Sequence, residues 1–194
     1  MGSQWAFRAP FDRPARVCHH EIMQYFAYGS NMSSARLIAR TPSARPVGAA
    51  CLPRHRLAFH KRGLDGSGKA DAFATGSDGD HIWGVVYRLA AYEVAALDRA
   101  ESLGTGYEKI DVRVVAADGA AVKAFTYCAL DIDPNGRPFC WYKQHVLKGA
   151  EEHALPADYI AMIKAALHVT DRDQQRVARE SAIYADIRSR GIRG

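Results

Sequence analysis

The sequence predicts an α+β fold in which about six strands come first and helices close the chain. Three observations carry this. Apolar or alternating strand-like runs fill most of the stretch from Met23 to Leu130. From Phe139 the pattern turns helical and stays so to the end. Strands grouped ahead of helices favour α+β over an alternating parallel arrangement. About six strands suffice to close a small barrel, and closure would remove exposed edges. The 194 residues, 48% of them hydrophobic, supply one well-buried core.

The elements follow in order. Met23–Tyr28 reads as a buried strand that stops at Gly29-Ser30-Asn31. Ser33–Arg40 reads as a short helix with Ser33 as N-cap, ended by Pro42. Leu57-Ala58-Phe59 sits in a strand, and Gly63–Gly76 is a glycine-rich loop running into another, with Gly63–Gly68 a candidate lid. His81–Leu89 is apolar on both faces and predicts a strand covered on both sides. A helix runs from Ala90 to Ser102. Ile110, Val112 and Val114 alternate with Lys109, Asp111 and Arg113, which predicts a half-exposed strand. Asp118-Gly119 marks a hairpin into Ala121–Leu130, and Asp133-Pro134-Asn135-Gly136 marks a turn. In the closing helices Tyr159, Met162, Ile163 and Ala166 share one face.

Charge and cysteines narrow the function classes. The net charge of +5 raises nucleic acid as a partner. The excess is spread over both ends and the middle, however, so no dedicated nucleic-acid surface is expected; the Arg-rich C-terminal helix is the remaining candidate. No apolar run approaches a membrane span, so no membrane partner is expected. Cys51 and Cys128 lie in strand-like runs and read as buried reduced thiols, which suits a cytoplasmic location. Cys18-His19-His20 lacks a partner cluster at metal-binding spacing, so no metal is expected. Residues 1–22 lack signal-peptide regions and periodicity. They are expected to be a disordered or non-native extension, with Met23 directly before the first strand. A single domain spans 23–194.

Two local features point to chemistry. Glu101 lies seven residues after Val94, almost two helical turns, and so shares the apolar face marked by Val94 and Leu97. It also stands in the last helical turn, before Gly104 and Gly106. Burial and the negative end of the helix dipole both disfavour a charged carboxylate there, which suits a proton acceptor. A structural carboxylate paired with Lys or Arg stays open on pattern alone. Glu93 and Asp98 point elsewhere and are expected in solvent. The turn Gly29-Ser30-Asn31 could expose successive backbone N–H groups as an anion nest, or be a tight turn with a permissive backbone. It matches neither nucleotide-binding glycine pattern.

Four blocks in order resemble the γ-glutamylcyclotransferase family: "YFAYGSNM" at Tyr25–Met32, "HIWGVVYRL" at His81–Leu89, "LDRAESLGTGY" at Leu97–Tyr107, and "WYKQHVLKGAEEHALPADYI" at Trp141–Ile160. The resemblance implies a small mixed β-barrel surrounded by helices. It implies an intramolecular reaction in which the α-amine of a γ-glutamyl amide attacks its own γ-carbonyl, giving 5-oxoproline and a free amine. It places the catalytic general acid/base on Glu101 and the substrate contacts on Tyr25, Phe26, Ala27, Tyr28, Gly29, Ser30 and Tyr142. Tyr142 reads equally well as a half-buried helix tyrosine. It implies a small-molecule γ-glutamyl substrate and no metal or organic cofactor, and it leaves a homodimer open. The loop Gly66–Phe73 looks more like bacterial members than animal ones, which leaves the leaving group undecided between amino acids and other γ-glutamyl amines. The alternative is a non-catalytic module that binds γ-glutamyl compounds or a protein on the same fold.

Overall fold

The computed structural model describes residues 21–184. Cys18-His19-His20, most of the N-terminal extension and the last arginines lie outside the described residues.

Seven strands form where the sequence runs apolar or alternates: β1 (Ile22–Ala27), β2 (Arg45–Pro53), β3 (His55–Arg62), β4 (Gly68–Ala74), β5 (His81–Ala90), β6 (Tyr107–Ala116) and β7 (Ala121–Ala129). Five of them close a barrel in the order β1-β5-β2-β6-β7. The seam is a parallel pairing of β1 with β7 at Tyr25 and Phe125, while the other barrel pairings are antiparallel. The barrel is therefore mixed, and smaller than six strands. β3 and β4 form a separate two-stranded ribbon. β3 is basic, with Arg56, Lys61 and Arg62, and most of its residues are half-buried, so it has no clean apolar face to contribute to a barrel wall.

The strongest strand signal is met along its centre, while His81 and Arg88 are exposed and Trp83 is half-buried. Gly84–Tyr87 of β5 are all buried, with β1 on one edge and β2 on the other. Phe26, Leu37, Ile82, Val85, Tyr87, Leu89, Leu97 and Val114 are almost wholly inaccessible. Each large apolar side chain so buried is worth roughly 1.5–3 kcal/mol. β6 alternates as expected and returns through the Asp118-Gly119 turn, where the Asp118 carboxylate accepts the Ala120 N–H at 2.9 Å.

Five helices follow the sequence pattern with local differences: α1 (Ser34–Ile38), α2 (Val94–Ala100), α3 (Cys140–Glu152), α4 (Ala157–Ala165) and α5 (Gln174–Ala182), with a 3-10 turn at Ser30–Met32. Ser33 is the N-cap residue of α1, but its side chain makes no capping hydrogen bond. α3 is the best anchored. It buries Trp141, Tyr142, His145, Val146 and Ala150, and its Gly149 lies so close to the 3-10 turn that a Cβ would stand 2.5 Å from the Met32 backbone. The buried Lys143 ammonium caps the end of α4, donating to the Lys164 and Ala166 carbonyls at 2.7 and 2.8 Å. α4 buries Tyr159 and Ile163 but leaves Met162 exposed, because so short a helix touches the core along a narrow i, i+4 stripe.

Two further expectations change. Glu93 is buried, not solvated: its carboxylate accepts the Ser43 N–H at 3.1 Å and the Ser43 hydroxyl at 2.5 Å. Asp98 is likewise engaged, by the Tyr127 hydroxyl at 2.6 Å and the Lys109 ammonium at 2.9 Å. Cys51 and Cys128 do lie in strands and are free thiols, but they are half-buried. Burial pushes the Cys128 thiol up to about 12.

Candidate active site

β1 ends at Ala27, and the chain turns sharply through Tyr28 and Gly29 into the 3-10 turn. Gly29 is needed for close approach. A Cβ there would meet the Ala70 Cβ at 2.9 Å and the Tyr142 hydroxyl at 3.5 Å. The Ser30 and Asn31 N–H groups open the helical turn and so have no intrahelical partner.

This turn lines a recess of about 20 Å3 together with Tyr25, Asn31, Ala70, Glu101, Tyr107, Tyr127 and Tyr142. That is room for about one water-sized group. Ser30, Glu101, Tyr107 and Tyr142 also line an adjoining cavity of about 250 Å3. The outer cavity is strongly polar, with Arg36, Arg40, Lys61, Lys69 and Arg176 against Asp65, Glu101 and Glu180.

Glu101 is the C-cap residue of α2 and stands where recess and cavity meet. Its Oε1 accepts from Asn31 Nδ2 at 2.9 Å and from Arg40 Nη1 at 3.1 Å. Asn31 in turn donates to the Tyr25 hydroxyl at 3.1 Å, and its Oδ1 accepts from Arg40 at 2.9 Å. One carboxylate oxygen is thereby clamped by an amide and a guanidinium; Oε2 accepts no hydrogen bond among the described residues. The arginine-paired carboxylate and the cavity-lining carboxylate turn out to be the same residue.

The recess is ringed by phenols kept protonated by burial. Burial pushes the Tyr25 and Tyr127 hydroxyls up, with the Glu101 carboxylate adding to both, and it pushes Tyr28 and Tyr107 well up. These rings are fixed by their own bonds. Tyr28 donates to the Tyr127 carbonyl, Tyr107 donates to the Ala70 carbonyl at 2.7 Å, and Tyr142 accepts from the Ala70 N–H at 3.0 Å. Neutral donors and a clamped carboxylate suit the handling of one proton beside a carbonyl.

Of the residues singled out in the sequence, Glu101, Tyr25, Tyr28, Gly29, Ser30 and Tyr142 come together on this surface. Phe26 and Ala27 do not line it; both are fully buried in the core. Gly63, Leu64 and Asp65 of the glycine-rich loop border the outer cavity. Sequence reading missed the clamp, Asn31 and Arg40, and the cations Arg36 and Lys61. One signal was available: Arg36 and Arg40 are four residues apart in the stretch the sequence reads as one helix, a spacing that puts both on one side, and although α1 ends at Ile38 both line the cavity.

Among the described residues no helix is long and apolar enough to cross a membrane. A model of the AIG2-like family matches residues 81–163. The γ-glutamylcyclotransferases of Homo sapiens and Mus musculus are each 32% identical over 149 residues, covering 75% of this chain and 79% of theirs. A solved structure of a γ-glutamyl cyclotransferase superposes with a TM-score of 0.73 at 27% identity, covering 82% of this chain and 99% of that one. The chain belongs to the γ-glutamylcyclotransferase family.

Proposed function

We propose that the protein is a γ-glutamylcyclotransferase that converts a γ-glutamyl amide to 5-oxoproline and a free amine, with Glu101 as general acid/base. The observation that carries this is the position of Glu101, one oxygen clamped and the other open where recess and cavity join. The α-ammonium of the substrate gives a proton to Oε2. The freed amine attacks the γ-carbonyl, the new C–N bond closes the five-membered ring, and the old amide C–N bond breaks. Glu101 returns that proton to the leaving nitrogen, and the ring nitrogen sheds its second proton, which the released amine takes up as its ammonium. Ring closure is intramolecular, so holding one conformer supplies much of the rate; effective molarities on the order of 10⁵ M or more are available to such geometries. Proton transfer by a positioned group adds roughly 10²–10⁴.

The turn Tyr28-Gly29-Ser30 holds the α-carboxylate through its backbone N–H groups, and Tyr142 borders the glutamyl moiety. Free thiols at Cys51, Cys128 and Cys140 support a reducing compartment, and we take the cytoplasm as the site of action.

The test is 5-oxoproline release from γ-glutamyl-alanine and from glutathione, with Glu101→Gln beside the wild type. Gln keeps an oxygen for the Asn31 and Arg40 donors but offers no base. Wild-type release and a fall of about 100-fold or more in the variant are expected. Full release by the variant would remove Glu101 from the mechanism. Binding of both compounds without turnover would favour the binding module.

A further inference from the structure

Three cations of the outer cavity are spoken for by its own carboxylates. Lys69 pairs with Asp65 at 2.7 Å, Arg36 with Glu180 at 2.6 Å and Arg40 with Glu101 at 3.1 Å. Arg176 pairs with Asp171 at 2.5 Å. Lys61 is left over. It lines the cavity, is only 6% exposed, and takes part in none of the ion pairs among the described residues. Its ammonium lies over the Tyr107 ring, 4.9 Å from the centroid, and fills the space beside Gly106. A ring face compensates a buried ammonium only in part. Burial pushes Lys61 down, and the Glu101 carboxylate is the largest influence holding it up.

Building on the cyclotransferase reading, we propose that Lys61 binds the carboxylate of the leaving amino acid, so that this site selects γ-glutamyl α-amino acids over γ-glutamyl amines that lack that carboxylate. Connectivity supports the placement. In such a substrate the leaving carboxylate carbon is two bonds from the scissile nitrogen, and that nitrogen takes its proton from Glu101. The anion therefore falls close to Glu101, on the cavity side of Tyr107, where the unpaired ammonium stands. A cationic or neutral leaving amine would leave Lys61 buried and uncompensated, which is a penalty against the wrong substrate as well as a gain for the right one.

The discriminating pair is γ-glutamyl-alanine and γ-glutamyl-alaninamide, of nearly equal size and differing in that one charge. Wild type is expected to prefer the acid by about 10- to 100-fold in kcat/KM, the range of a charge-assisted contact. Lys61→Met is expected to erase the preference, by slowing the acid and by relieving the penalty on the amide, and Lys61→Arg to keep most of it. Equal wild-type rates on the two compounds would overturn the assignment, and need no variant to fold. Equal losses on both compounds in Lys61→Met would also overturn it. Wild-type release from neither compound would instead overturn the cyclotransferase reading itself, and the assignment with it.

Discussion

The turn at residues 28–31 and helix α5 line the same polar space, but they are held in place by different forces. Tyr28, Ser30 and Asn31 are buried, as is Tyr142 behind them, and contact with Ala70 leaves no room even for a methyl group at Gly29. α5 buries no residue at all. It is tied down by Arg176 to Asp171, by Glu180 to Arg36 and to His145 at 3.2 Å, and, two residues past its end, by Tyr184 to His145 at 2.5 Å. Close packing has one solution, whereas ion pairs at a half-wet surface tolerate rearrangement. The packed wall is the one that lines the recess with Glu101, where the proposed reaction needs a fixed geometry. The adjustable wall is the one that faces the outer cavity, through Arg176 and Glu180.

The contrast can be broken first at the turn. Gly29→Ala should force the turn off Ala70 and Tyr142 and lower 5-oxoproline release by about 100-fold, since displacements near 1 Å at a reacting centre cost that much. Near-normal kinetics in that variant would mean the turn wall is not rigid. The corresponding change in α5, Arg176→Ala, should cost only a few-fold in kcat/KM, because Arg176 is already committed to Asp171.

A smaller effect should come from Glu180→Gln, which leaves Arg36 without its carboxylate. A loss of about 1–2 kcal/mol in urea unfolding is expected, with kcat changed less than threefold. A large fall in kcat would place α5 among the rigid parts of the site.

The smallest effect is a pH dependence. Glu180 is held down to about 2, chiefly by the His145 hydrogen bond and with Arg36 adding to it, from 4.5. Burial holds His145 below 6.5. In both cases the unfolded chain takes up the proton first, so stability present at neutral pH is lost as pH falls. The loss begins below 6.5 for His145 and runs from 4.5 to about 2 for Glu180. Amide-exchange protection of Gln174–Ala182 should therefore drop about tenfold between pH 7 and pH 4 while that of Gly84–Tyr87 holds. A parallel drop in both would show that α5 does not open on its own.

Much of the barrel was legible because its signals are local. β5 is apolar on both faces, β6 alternates, and Asp118-Gly119 names its own hairpin. The separation of β3 and β4 from the barrel was not legible, since it depends on which neighbour a half-apolar strand finds. Glu101 could be singled out by its spacing, because a carboxylate on an apolar helix face breaks a local rule. Its clamp could not, since Arg40 reaches it across 61 residues of sequence and Asn31 across 70. Glu93 was misread for the same reason: helix periodicity says which way a side chain points, but not that Ser43 waits there. Lys61 was hidden among the basic residues of β3, where nothing local separates a buried ammonium from a solvated one.

The seam of the barrel also sets a timetable. Tyr25 is among the first described residues to be synthesised, yet its partner across the seam is Phe125, and the turn that follows leans on Gly149. Contacts that span a hundred residues form late. A chain leaving the ribosome must therefore expose most of the domain before the turn at Gly29 has a surface to rest on. Truncated chains ending before α3 would carry Glu101 but no recess beside it, so premature termination should yield fragments with no activity toward γ-glutamyl compounds.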